Sequence, residues 1–144
     1  MPALEKTKIR RDMLEHDTVR QAVEQSGHQA IMISEEDLLK SLDTTLRKKP
    51  NTGPVWVFGY GSLIWNPMLE YVTKRPARIR GYHRGFYCWS RINRGSPEKP
   101  GLVLALDRGG SCRGLAYELT TESVKKELLI LWRREMLGKV YVPK

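Results

Sequence analysis

Cysteine is scarce in this sequence. Cys88 and Cys112 are the only two in 144 residues, and neither sits in a CxxC pair or beside another metal-ligating side chain. That excludes a disulfide framework and gives no metal-site pattern, so no metal is expected. It suits a reducing compartment and leaves both thiols as buried or inert groups. No segment reaches the run of about 18 apolar residues that a membrane span needs. The N-terminus has charges but no apolar stretch of a secretory signal, so the expectation is a cytoplasmic chain with no membrane partner. There is no dinucleotide fingerprint and no P-loop Gly-Lys-Ser/Thr, hence no expected cofactor. Helix-turn-helix, zinc-finger and RNP patterns are missing too, and no internal repeat or low-complexity tract is present.

What remains is an ordinary globular composition, 40% hydrophobic and 28% charged, long enough for one domain with a modest core. The net charge of +9 is scattered, and Arg47-Lys48-Lys49 is the one basic run of three. It reads as solvated surface that favours encounter with a small anionic substrate, not as a nucleic-acid footprint. Residues 1–52 form a helical, polar N-terminal extension. Up to about Gly27 the apolar positions are poorly periodic, and both a loose helix and a partly disordered arm fit. From Ser34 the pattern sharpens: a serine cap, the acids Glu35, Glu36 and Asp37, then Leu38, Leu39, Leu42 and Leu46 at helical spacing, with Pro50 as the stop.

The domain proper, 53–144, opens on Val55-Trp56-Val57-Phe58-Gly59-Tyr60-Gly61-Ser62-Leu63-Ile64-Trp65-Asn66-Pro67. A β-branched and aromatic run reads as a buried strand. Gly59 and Gly61 then break it, residues able to take positive φ and to leave room above the backbone. Such a bend presents successive N–H groups that can hold a carboxylate or an oxyanion, although a plain glycine turn has the same pattern. Further on, Arg78–Ser90 reads as one or two strands bent at Gly81 or Gly85, and Asn93–Gly101 as a loop. Leu102–Leu106 and Cys112–Leu119 read as a hairpin turned at Asp107-Arg108-Gly109-Gly110. Strands joined by turns, with helices at both ends, predict an α+β fold.

The last helix is expected from Thr120-Thr121-Glu122-Ser123 to about Leu137, stopped by Gly138. At about 100° per residue, with Val124 as origin, Leu128 falls near 40°, Leu131 near −20° and Glu135 near 20°. Glu135 thus sits at the centre of the apolar stripe, and Lys125, Lys126, Glu127, Arg133 and Arg134 fall away from it. A carboxylate among leucines must be paired, hydrated or functional, and partial burial suits a group that both takes and gives a proton. An ordinary glutamate pairing with Arg84 or Arg91 is the plain alternative.

The glycine stretch resembles the corresponding loop of the ChaC-type γ-glutamylcyclotransferases. The similarity continues through Gly81-Tyr82-His83-Arg84-Gly85-Phe86, Lys99–Leu106, Gly114–Leu119 and Leu131-Trp132-Arg133-Arg134-Glu135-Met136. It implies a mixed β-barrel or sheet with flanking helices, and cleavage of glutathione or a related γ-glutamyl compound to 5-oxoproline and a free amine. It makes Glu135 the catalytic acid/base, with Phe58, Gly59, Tyr60, Gly61, Ser62 and Leu63 binding substrate. Arg84 is a candidate for a substrate carboxylate and His83 a structural residue. Family members carry more chain after this helix, and Gly138–Pro143 looks like the opening of a next strand, so the domain is expected to be incomplete at its C-terminus. The rival readings are a catalytically weak or inactive γ-glutamyl-binding module and a cyclotransferase for another γ-glutamyl amine. The oligomeric state has no signature in the sequence.

Overall fold

A computed structural model describes residues 9–27, 31–49, 52–90, 98–99, 101–138 and 141–144. The chain runs α1 (Arg11–Glu15), α2 (Thr18–Gln25), α3 (Glu35–Arg47), β1 (Val55–Gly59), α4 (Ser62–Trp65), β2 (Thr73–Ser90), β3 (Gly101–Leu119), a 3-10 turn (Thr121–Ser123) and α5 (Val124–Glu135). The fold is α+β, as expected, with an open three-stranded sheet in the order β1-β3-β2 and antiparallel pairing throughout.

The local signals explain several boundaries. Ser34 Oγ accepts the Asp37 N–H at 3.1 Å, so α3 starts on its serine cap with three acids in its first turn. The 1–27 region contains two short helices among its described residues, joined through His16 and Asp17. The carboxyl-terminal helix is shorter than expected: a 3-10 turn precedes it and it closes at Glu135, with Met136 as its C-cap.

The expected hairpin within 102–119 is not formed. Gly101–Leu119 is one strand, and its partner along most of its length is β2, from Thr73↔Glu118 to Ser90↔Gly101. Asp107–Gly110 is instead the corner of a long bent ribbon. Between Arg80↔Ser111 and Tyr82↔Arg108 the register shifts, leaving Gly81 opposite Gly109 and Gly110, all three at positive φ (89°, 101° and 69°). Glycine is what permits that corner, and His83 Nδ1 secures it against Gly109 O at 2.9 Å, the structural role expected of this histidine. A second shift falls between Phe86 and Cys88, so the ribbon bends at Gly81 and slips beyond Gly85. The expected loop at 93–101 lies largely outside the described residues. So does part of the strand expected at 138–143, of which Tyr141–Lys144 is irregular.

One apolar core holds the helices to the sheet. Leu14, Val19, Val23, Met32, Leu38 and Leu42 from the N-terminal segment pack in the same cluster as Val57, Leu69, Leu119, Val124, Leu128, Ile130 and Trp132. Polar ties cross the same junction: Trp132 Nε1 donates to Ser41 Oγ at 3.3 Å, and Ile33 N–H to Leu137 O at 2.9 Å. At the far end of the ribbon the surface is apolar, with Phe86, Tyr87, Trp89 and Leu102 all exposed.

Candidate active site

The candidate site forms where β1 ends. Gly59 is the last residue of β1, and a Cβ there would stand 2.9 Å from Leu63 Cβ. Gly61 leads into α4 and faces Leu104, whose Cδ1 would be 3.3 Å from an added Cβ. Neither glycine uses the positive φ open to it; among described glycines those angles occur at Gly27, Gly53, Gly81, Gly109 and Gly110. Their purpose here is close approach. Gly114 on β3 shows it most strongly: a Cβ would fall 2.1 Å from Gly59 O, so no side chain fits without moving the bend.

Three side chains from three different elements hold the carbonyls of this bend. Arg84 Nη1 on β2 donates to Tyr60 O at 2.7 Å. Tyr117 Oη on β3, a buried residue, donates to Leu63 O at 2.8 Å. Arg134 Nη1 on α5 donates to Asn66 O. Within α4, Ile64 N–H donates to Gly61 O and Asn66 N–H to Ser62 O, both at 2.9 Å. The amides of Ser62 and Leu63, at the start of that helix, have no intrahelical acceptor and are the donors suited to an anionic group.

Tyr60 and Phe58 stack with ring centroids 6.2 Å apart. The Tyr60 hydroxyl is pushed up to about 12, by burial first, then by the negative charge of Glu135, with Cys88 and Cys112 adding to it. At neutral pH it is therefore an O–H donor. Glu135 is the final residue of α5, its side chain 27% exposed, with Oε1 3.2 Å from Arg134 Nε. Glu135 thus pairs with its sequence neighbour; Arg84 is turned to Tyr60 O, and Arg91 lies outside the described residues.

The chain therefore places Phe58 to Leu63 at the end of β1, with Arg84 bracing the backbone there, and Glu135 next to Arg134, which holds Asn66 just beyond it. Two surface depressions lie elsewhere. One is lined by Lys49, Gly53, Glu118 and Thr121, the other by Glu15, Lys126, Leu129 and Arg133. Among the described residues no three His, Cys, Asp or Glu side chains cluster as a metal site, and no helix is long and apolar enough to cross a membrane. Both cysteines are free thiols, Cys112 buried and Cys88 partly so.

Sequence reasoning missed three contributors. Tyr117 sits at an inward position of a strand, where only its hydroxyl hints at a buried partner. Gly114 belongs to a recognisable motif but gave no sign of facing Gly59. Arg134 was placed away from the apolar stripe, yet its side chain is 9% exposed, because N-terminal helices and the 66–70 turn cover α5 on more than one side.

Comparison with known proteins bears on the family of the chain. Residues 55–143 match the family model described as ChaC-like protein. A glutathione-specific γ-glutamylcyclotransferase of Escherichia coli is 43% identical over 115 residues, covering 80% of this chain and 50% of the relative. A glutathione-specific γ-glutamylcyclotransferase 1 of Mus musculus is 42% identical over 83 residues, covering 56% of this chain and 37% of that protein. A crystal structure of a glutathione-specific γ-glutamyl cyclotransferase from yeast superposes with a TM-score of 0.55 at 27% identity, covering 58% of this chain and 48% of that one. The chain thus spans about half the length, or less, of the relatives it matches. With the match running from the first residue of β1, through the glycine bend and past Glu135, the chain belongs to the ChaC-like protein family.

Proposed function

We propose that this chain carries the γ-glutamylcyclotransferase chemistry of its relatives, with glutathione as substrate and Glu135 as acid/base. The substrate's α-amine attacks its own γ-carbonyl carbon. The new C–N bond closes a five-membered ring, the bond to the cysteinyl nitrogen breaks, and 5-oxoproline and cysteinylglycine separate. No enzyme nucleophile is needed, because the attack is intramolecular and depends on folding the γ-glutamyl arm into an attack geometry. Glu135 takes a proton from the α-ammonium and returns one to the departing amine. The amides of the Gly59–Leu63 bend hold the α-carboxylate or the developing oxyanion, and Ser62 adds a hydroxyl contact. Tyr60 serves as a protonated donor beside them. Arg84 acts by holding the Tyr60 carbonyl.

The observation that carries this reading is geometric: Arg134, the residue before Glu135 on α5, donates to Asn66 O in the segment that follows the glycine bend, and Arg84 donates to Tyr60 O within it. The test is Glu135→Gln, assayed by 5-oxoproline release from glutathione. The folded variant should lose at least about 100-fold in kcat, the scale of a positioned proton-transfer group. Retention of most activity removes Glu135 from the chemistry.

A second reading, binding without turnover, is favoured by one feature: the three-stranded sheet that carries the bend is open. A rise in melting temperature with glutathione and no 5-oxoproline release would select it. Assays with γ-glutamyl amino acids beside glutathione separate the substrate choices.

A further inference from the structure

We propose that Arg11 and Glu127 are positioning residues that lock the glycine bend to the helix bearing Glu135, an inference resting on the reading of that bend and Glu135 as one site. Glu127 is fully buried on α5, with 0% of its side chain exposed. Arg11, on α1, meets it with both terminal nitrogens: Nη1 to Oε2 and Nη2 to Oε1, each 2.8 Å. The same Nη1 donates to Met68 O at 2.9 Å, Arg11 Nε pairs with Glu15 Oε1 at 2.8 Å, and Nη2 stands 3.9 Å from Glu70 Oε1. Glu127 Oε2 also accepts the Glu70 N–H at 2.9 Å.

These bonds converge on the turn that follows α4. Asn66 is held by Arg134, Met68 by Arg11, and Glu70 by Glu127, while Leu69 is buried in the core. Met68 sits at φ 53°, a left-handed conformation that a non-glycine residue keeps only when its surroundings impose it. The turn therefore has anchors on α1 and α5 at alternate residues. Glu127 and Glu135 lie on one helix about 12 Å apart along its axis, at 1.5 Å per residue. Fixing the turn to Glu127 and Arg134 fixes the bend relative to Glu135. Arg11 lies outside the residues matched by the family model, so the N-terminal segment takes part in building the site.

The test compares the 144-residue chain with Arg11→Lys, Arg11→Met and the double variant Arg11→Met/Glu127→Met, read by amide hydrogen exchange. The double variant replaces the ion pair by apolar side chains, so the fold is retained where a lone buried carboxylate would unfold it. The clamp predicts exchange at least about tenfold faster at Ile64 and Asn66, with Val57 and Leu119 in the sheet changed less than about twofold. Unchanged exchange at Ile64 and Asn66 in the folded double variant overturns the proposal, as does an equal acceleration throughout the chain. This readout needs no substrate. It stands or falls separately from the Glu135→Gln assay, which can fail while the clamp is upheld.

Discussion

At the scale of single residues, α5 carries two glutamates of opposite character. Glu135, half-buried at the helix end beside Arg134, was legible in the sequence because it falls on the leucine stripe. Glu127 was not. The helical wheel put it away from the stripe, and nothing in the sequence said that a second face of α5 would be covered by a segment more than one hundred positions away. Burial alone would raise the Glu127 carboxyl, but hydrogen bonds from Arg11 and the Glu70 amide, with the charges of Arg11 and Lys126, hold it below the ordinary carboxylate range. A carboxyl depressed in the folded state stabilises the fold above its unfolded value of 4.5 and loses that contribution as pH falls through its folded value. Urea unfolding at pH 7 and pH 3 should therefore show a smaller acid loss in Arg11→Met/Glu127→Met than in the parent chain.

At the scale of elements, the strands were legible and their partners were not. Asp107-Arg108-Gly109-Gly110 has the composition of a hairpin turn, and local chemistry cannot distinguish a chain reversal from a bulged corner. What decides is the partner: β2 pairs with β3 on both sides of the corner, and Gly81 supplies the opposite half of it. Gly109 isolates the conformational part of the energy, since it sits at φ 101° with nothing within 4 Å of an added Cβ. Gly109→Ala should cost about 1–2 kcal/mol through backbone strain alone. A melting temperature lower by roughly 5 °C in thermal denaturation checks it. The helix signals fared better because they are local: Ser34 and the acids behind it start α3 where the capping pattern put it.

At the scale of the molecule, the sheet does not close, so the bend lies at an open end of β1. The family likeness was readable from motif order alone. The involvement of the N-terminal segment was not readable, since its weak periodicity spreads its apolar residues over two short helices.

The shared core has a practical side for anyone trimming this protein. A chain begun at Val55, the natural cut by motif boundaries, would leave Val57, Leu119, Val124 and Trp132 without the Leu14, Val23, Leu38 and Leu42 side chains that cover them. It would also leave Glu127 uncharged or unfolded for want of Arg11. Such a fragment should come out of expression as insoluble material, while the full chain stays in the supernatant.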